Sequence, residues 1–282
     1  MLGDVLTVWL QRCDAVVFDL DKLNVFVGLA LVGAAIMLCV SHARRGGAVF
    51  IRAVPGLQAV DDALGRAAEL GRPVVFTTGL YGVDDVATLA GLNILGHLAS
   101  RSAHYDSDLM VPCANPVVMT VAQELVKERL TQAGYPERYR ADNIYFITDE
   151  QFAYASAVCG LMQRERPAAV FYLGSFAAES LLLAEAGAGA GAIQVAGTAD
   201  VSQIPFFIVA CDYTLIGEEL FAASAYLSRD ALLLGSVKGQ DMAKVLIMAA
   251  LAAGVLLLCV DQLFGCHWGT WFASLFTVTE AL

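Results

Sequence analysis

The chain has 282 residues, of which 58% are hydrophobic and 16% are charged, and its formal net charge is -11. This composition is too apolar for an ordinary soluble domain, so part of the chain is expected to lie in a lipid bilayer. The negative charge and the scattered Lys and Arg argue against a nucleic-acid partner, because phosphate binding requires clustered basic residues.

Residues 1–22 carry apolar side chains at helical spacing, among them Leu6, Trp9 and Cys13. The pattern predicts an amphipathic interfacial helix. Helices that bind anionic lipid by charge are usually basic, whereas this one carries Asp4 and Asp14. Contact with another protein is therefore favoured over contact with lipid headgroups.

Residues 23–43 contain no Asp, Glu, Lys or Arg and have the length that a hydrocarbon core requires. They predict a first transmembrane helix. A signal peptide is a poorer interpretation, because acidic residues precede the run and no Ala-x-Ala site follows it.

Residues 242–260 predict a second transmembrane helix with Lys244 near its start. Residues 261–282 follow as an aromatic interfacial segment that includes Trp268 and Trp271. Small residues between Ala249 and Gly254 would allow this second span to pack on the small residues of the first span. The small residues of the first span are Gly28, Gly33, Ala34 and Ala35.

Basic residues set the expected orientation. Arg44 and Arg45 follow the first span, and Lys238 and Lys244 lie near the start of the second. The positive-inside rule then places the central domain in the cytoplasm and both termini outside a cytoplasmic (inner) membrane.

Residues 46–240 alternate apolar runs of strand length with helical segments. This pattern predicts an α/β fold, a Rossmann-like doubly wound sheet that is mostly parallel, between the two transmembrane α-helices and the terminal amphipathic helices. The predicted strands are 48–54, 73–76, 109–113, 144–148, 169–173, 192–196, 206–211 and 232–237. The predicted helices are 57–70, 84–101, 116–133, 150–164, 176–186 and 217–227.

Ligands of open parallel sheets bind beyond the carboxyl ends of the strands, where helix N-termini attract anions. The candidate binding residues at such ends are Thr78, Gly79, Gly174, Ser175, Thr198 and Asp212. Each has a simpler interpretation as part of a turn or a helix cap, with Asp84 and Ser175 as caps. No residue is assigned a catalytic role, since the chain lacks a Walker lysine and a G-x-S-x-G elbow.

The seven cysteines and four histidines are dispersed and have no metal-ligand spacing. The expectation is that the chain has no metal site and no cofactor, and that its cysteines are small core residues in a reducing compartment.

The segments AIQVAGTADVSQIPFFIVACDYTLIGEELFAASAYLSRD, FIRAVPGLQAVDDALGRAAELGRPV and DEQFAYASAVCGLMQRERPAA resemble a domain-of-unknown-function family of bacterial membrane proteins, number six-seven-five-four. The resemblance runs from the first predicted span to the second. It implies this architecture, and it carries over no catalytic residue.

Two functions follow as expectations. The first is a membrane-anchored scaffold that self-associates into a large homo-oligomeric assembly, with the lipid bilayer and another membrane protein as candidate partners. The second is a membrane-tethered enzyme or sensor that binds a small anionic or nucleotide-like ligand at the strand ends. The first is favoured, so the chain is expected not to be an enzyme.

Overall fold

A computed structural model describes residues 23–46, 55–228, 230–264 and 267–274. The chain divides into two compact units, residues 50–234 and residues 1–49 together with 235–282. We call the first the α/β unit and the second the helical unit.

The α/β unit alternates strands and helices, as the sequence predicts. Its helices are α2 (Pro55–Leu70), α3 (Val86–His104), α4 (Pro116–Ala133), α5 (Gln151–Glu165), α6 (Ser180–Ala190), α7 (Ile204–Ala210) and α8 (Glu218–Ser228). Its strands are β1 (Val74–Gly79), β2 (Leu109–Cys113), β3 (Ile144–Phe146), β4 (Ala169–Ser175), β5 (Ile193–Thr198) and β6 (Tyr213–Ile216). Short 3-10 turns at Pro136–Arg138 and Ala141–Asn143 lead into β3.

The six strands form one parallel sheet in the order β3-β2-β1-β4-β5-β6. This confirms the predicted α/β class with a parallel sheet. The chain builds one half of the sheet outward from β1 and then returns to β4 for the other half. The boundary between β1 and β4 is therefore the topological switch point, where ligands of such sheets usually bind.

Helices cover both faces of the sheet, because neighbouring strand residues point to opposite faces. Val74 and Phe76 pack into one core with apolar residues of α2, α3, α4 and α8. Val75 packs into the other core with residues of α5, α6 and α7, including Tyr154 and Phe207. Burial on both faces explains why the central strands are nearly continuous in apolar residues.

Two predicted strands are helical in the structure. Residues 206–211 fall in α7, where Pro205 occupies the first turn, and the actual sixth strand is the short β6 that follows. Residues 232–237 begin a long helix, α9 (Ala231–Phe264). Both runs are short and mainly apolar, a pattern that periodicity cannot assign to strand or helix. The predicted strand 48–54 lies outside the described residues.

The helical unit contains α1 (Leu23–Arg44), α9 from Gly235 onward, and α10 (Trp268–Ser274). Among the residues that the structure describes, two helices are long and apolar enough to cross a membrane, at Val25–Arg44 with mean hydropathy 2.2 and at Ala231–Leu263 with mean hydropathy 2.5.

Two glycines of α9 bring it close to α1. A Cβ at Gly235 would lie 2.6 Å from the Cα of Val40, and a Cβ at Gly239 would lie 2.6 Å from the Cα of Ile36. The partner numbers fall as the α9 numbers rise, so the two helices are antiparallel. The contact is a G-x-x-x-G pair, which permits close backbone approach between apolar helices.

The predicted contact between the small residues of the two spans differs from this one. A Cβ at Gly33 would meet nothing within 4 Å, whereas a Cβ at Gly254 would lie 3.0 Å from the ring of Phe272 in α10. The helix α10 thus folds back along the end of α9. Asp261 accepts hydrogen bonds from the backbone N–H groups of residues 268, 269 and 270 at 3.0, 2.7 and 3.0 Å, and so caps α10. The predicted interfacial helix at 1–22 lies outside the described residues.

Candidate functional site

Five of the six candidate binding residues come together at the carboxyl edge of the sheet. Thr78 and Gly79 end β1, Gly174 and Ser175 end β4, and Thr198 ends β5. These three strands are neighbours. Because the carboxyl ends of neighbouring parallel strands lie at the same edge of the sheet, the predicted strands correctly place these five residues together.

Asp212 lies at the opposite edge. It precedes β6, and its Oδ2 accepts a hydrogen bond of 2.8 Å from the backbone N–H of Gln194, near the start of β5. The sequence analysis placed Asp212 after a strand at 206–211, but that segment is α7. Asp212 joins the starts of β5 and β6, and its side chain is remote from the other candidates.

The switch point between β1 and β4 is filled by backbone. A Cβ at Gly79 would lie 2.1 Å from the carbonyl oxygen of Ser175, and a Cβ at Gly174 would lie 2.2 Å from that of Thr78. The N–H of Leu80 also donates to the Ser175 carbonyl at 3.1 Å. Both glycines have positive φ, +81° and +150°. Only glycine permits this approach, which closes the crevice that such folds usually offer to a ligand.

The helix N-terminus beside the switch point is occupied by a side chain of the same chain. Asp85 caps α3: its Oδ2 accepts hydrogen bonds from the N–H and hydroxyl of Thr88 at 2.8 and 2.9 Å. The same oxygen accepts a 2.8 Å hydrogen bond from the hydroxyl of Ser175. The predicted caps Asp84 and Ser175 are therefore wrong: Asp85 is the cap, and Ser175 ties β4 to it.

One further N-terminus is closed in the same way. Asn115 accepts hydrogen bonds from the N–H groups of Val117 and Val118 at the start of α4, so these groups are not offered to a bound anion. Glu179 is fully buried before α6, and its side chain makes no capping hydrogen bond to that helix. Its two oxygens accept from the N–H of Ala177 at 2.9 Å and from the Gln151 side chain at 2.6 Å.

Polar contacts continue along the edge toward β6. Ser180 donates to the side chain of Gln203 at 2.6 Å, and the hydroxyl of Thr198 accepts from the N–H of Asp200 at 3.2 Å. Among the described residues, the buried hydroxyls of Thr78 and Ser107 have no hydrogen-bond partner. At this edge of the sheet, the hydroxyl of Thr78 is therefore a buried polar group without a hydrogen bond.

Charge is distributed unequally between the two edges. The loops and first helical turns after five of the strands carry carboxylates: Asp84 and Asp85 after β1, Asp149 and Glu150 after β3, Glu179 after β4, Asp200 after β5, and Glu218 and Glu219 after β6. Every described Lys and Arg of the α/β unit lies in the second half of a helix or in a loop that leads into a strand. Matching to the helix dipole accounts for this separation. It leaves the described part of the carboxyl edge without a cation.

Exposed apolar side chains lie among these carboxylates. Val86, Phe152 and Val201 are 63%, 59% and 80% exposed. We call this region the carboxyl-edge surface. It comprises the exposed carboxylates Asp84, Asp149, Glu150, Glu218 and Glu219 and the exposed apolar residues Tyr81, Val86, Val117, Phe152, Leu181, Leu182, Val201 and Ile216. The sequence analysis missed it, although acidic and apolar residues after each strand could have indicated it.

The cysteines of the α/β unit are poor nucleophiles. Burial raises the pKa of Cys113, at the carboxyl end of β2, to about 12, and burial together with the neighbouring Asp212 charge raises that of Cys211 to about 12. Among the residues that the structure describes, no three His, Cys, Asp or Glu side chains are grouped as metal ligands. The geometry supports a binding surface better than a catalytic centre.

Over residues 13–268 the chain matches a family described as Domain of unknown function (DUF6754). The resemblance of the quoted segments to a family of unknown function is thereby confirmed. No curated protein and no solved structure matches the chain.

Proposed function

The chain belongs to the DUF6754 family of unknown function, and we propose that it is a membrane-anchored α/β protein that self-associates into an oligomeric membrane assembly. The observation that carries this proposal is the offset between α1 and α9. It brings charged residues of α9 alongside the charge-free length of α1.

The offset follows from the glycine contacts. Gly235 lies against Val40 and Gly239 against Ile36, so Lys244 lies level with Leu31 on the same antiparallel register. Leu31 is about 18 Å along the helix from Ala43, the last residue of the charge-free run, at 1.5 Å per residue. Lys244 is thus near the middle of a hydrocarbon core about 30 Å thick if α1 spans it. Asp241 falls in the same depth range, and both side chains are exposed in the single chain.

Neither placement of the bilayer suits an isolated copy. A bilayer centred on α1 surrounds Asp241 with lipid, and charged side chains at that depth usually face protein or water. A bilayer centred on residues 245–260 instead leaves the apolar turn around Ile36 outside the core. A second copy that packs against this face of α9 would shield Asp241 from lipid, which supports self-association.

The α/β unit offers surfaces that could extend such an assembly. Val209 on α7 is 88% exposed, and its neighbour Ile208 is also exposed. Exposed apolar residues of this kind commonly mark protein contacts. Strand addition at β6 is the less suitable mode, because the N–H of Ile216 already donates to Glu219 at 3.1 Å.

We place the assembly in a cytoplasmic (inner) membrane with the α/β unit in the cytoplasm and the chain termini outside. Arg44 at the end of α1 and Lys238 near the start of α9 support this orientation, since basic residues accumulate on the cytoplasmic side.

The test is the native mass of the full chain in mild detergent. We expect a particle several times the 29.9 kDa of one chain. We expect Asp241→Leu to shift the particle toward the single-chain mass, because it removes the charge that a second copy would shield from lipid. Lys127→Leu on α4 is the matched control and should leave the mass unchanged. A wild-type particle of one chain would overturn the proposal.

The alternative is a membrane-tethered enzyme or sensor that binds a small anionic or nucleotide-like ligand. The convergence of five candidate residues at the switch point favours it. The closed backbone at Gly79 and Gly174 and the carboxylates around it argue against an anion. A thermal-shift measurement with a nucleotide panel tests this function, and stabilisation by one nucleotide that Ser175→Ala abolishes would support it.

A further inference from the structure

The carboxyl-edge surface combines two properties that rarely occur together without a partner. It presents carboxylates after most strands of the sheet, and it presents exposed apolar side chains after each strand. Two of the carboxylates at this edge are used internally, since Asp85 caps α3 and Glu179 is buried against Gln151. Asp84, Asp149 and Glu150 remain exposed.

The chemistry of this surface restricts what can cover it. An anionic ligand or an anionic lipid surface would be repelled by the carboxylates. A second copy that docked by the same face would bring like charges together, which disfavours a two-fold contact through this surface.

The remaining segments of the same chain are also poorly matched. Outside the described ranges the basic residues are Arg12, Lys22, Arg52 and Arg229. Residues 1–22 carry more Asp than basic residues, and residues 275–282 carry only Glu280 as a charged side chain. A cationic apolar segment of a different protein complements this surface in both charge and apolarity.

We propose that the carboxyl-edge surface binds a cationic amphipathic helix of another protein. Six strands about 4.8 Å apart give an edge roughly 24 Å long, and a helix of that length has about 16 residues. Its apolar side chains would cover residues such as Val86 and Phe152. Its Lys or Arg side chains would pair with Glu150 at one end of the sheet and with Asp84 near the middle.

This partner site is independent of self-association. It lies wholly on the α/β unit, whereas the charges that support the assembly lie on α9. The two proposals can therefore fail separately. Native mass tests self-association, and peptide binding tests the partner site on the carboxyl-edge surface.

The experiment uses the full chain in nanodiscs of zwitterionic lipid. The probe is a fluorescent 16-residue amphipathic helix built from Lys and Leu, and the same helix with Glu in place of Lys is the control peptide. Empty nanodiscs measure binding to lipid. We expect anisotropy titrations to show saturable binding of the Lys helix above the lipid background, weakened by added salt, and no binding of the Glu helix.

Charge reversals locate the site. Asp149→Lys with Glu150→Lys should weaken binding about tenfold. Neither acid is required locally, because Glu150 makes no side-chain capping hydrogen bond at the start of α5. Glu124→Lys with Glu128→Lys on α4 makes the same change in net charge away from this edge and should leave affinity within about twofold. Circular dichroism confirms that each variant is folded, and Asp149→Asn with Glu150→Gln replaces the reversal if it is not.

Phe152→Ser tests the apolar part of the contact and should also weaken binding. Zero-length carbodiimide coupling should join probe lysines to Asp84, Asp149 or Glu150. Binding that equals the empty-nanodisc background, equal loss in the two reversal pairs, or coupling confined to carboxylates of other regions would each overturn the proposal.

Discussion

Replacing Gly239 by Ala tests the packing of α1 on α9. The added Cβ would lie 2.6 Å from the Cα of Ile36. Carbon atoms in favourable contact are about 3.5–4.0 Å apart, so the two helices must separate locally by roughly 1 Å. Both sides of this contact are backbone, which cannot move away as a flexible side chain would.

We expect Gly239→Ala to destabilise the helical unit by about 1–3 kcal/mol, the usual cost of forcing an extra carbon into a packed contact. The gain in helix propensity from Gly to Ala, about 0.5–1 kcal/mol, offsets part of that cost. The matched control is Gly33→Ala in α1, where the new Cβ meets nothing within 4 Å. The control should be neutral or slightly stabilising.

The assay is SDS-induced unfolding of the full chain in detergent, followed by tryptophan fluorescence. The three tryptophans are Trp9, Trp268 and Trp271, and all lie outside residues 50–234, so their emission reports on the helical unit. Equal transition midpoints for Gly239→Ala and Gly33→Ala would refute the inferred close contact.

Two further predictions concern the α/β unit. Gly79→Ala should destabilise this unit by about 3 kcal/mol or more, because the φ of Gly79 is positive and the new Cβ would overlap the Ser175 carbonyl. Thermal unfolding followed by circular dichroism should show this loss. The control Gly189→Ala, where the new Cβ meets open space, should not lose stability. The pKa of the Cys113 thiol is raised by burial from 9.0 to about 12, so stability is fully present below pH 9 and should fall as the pH rises from 9 to 12. The free energy of unfolding should fall by on the order of 3 kcal/mol between pH 9 and pH 12. Urea titrations of Cys113→Ala, which lacks this thiol, should show a smaller fall over the same pH range.

The sequence predicted those elements whose limits have local causes. Helix α4 begins and ends as predicted, because Asn115 caps it, Pro116 occupies its first position and Gly134 ends it in a left-handed conformation. Strand β2 was also predicted with its observed limits, since polar residues precede it and a capped helix follows.

Residues 206–211 were predicted to form a strand, but residues 206–210 belong to helix α7. These six apolar residues can form a buried strand or a short helix, and only packing against the second core decides. Shifting the sixth strand to residues 213–216 moved Asp212 from one edge of the sheet to the other. An error in one element thus removed one residue from the predicted site and left the other five together.

The glycine contact in the helical unit depends on a pairing that local pattern does not encode. Gly235 was assigned to a strand at 232–237, and Gly239 was left outside the second span, which was predicted to begin at residue 242. Which small residues face a neighbour depends on the relative rotation of the two helices. The spacing of these two glycines was nevertheless visible as a G-x-x-x-G motif.

The separation of α1 from α9 along the chain has a consequence for biosynthesis. Roughly 190 residues lie between the end of α1 and Gly235, and at about 5–20 residues per second a ribosome needs on the order of 10–40 s to make them. During that interval α1 has left the ribosome but its glycine-bearing partner does not yet exist. The contact between α1 and α9 can therefore form only after translation of the sheet has finished.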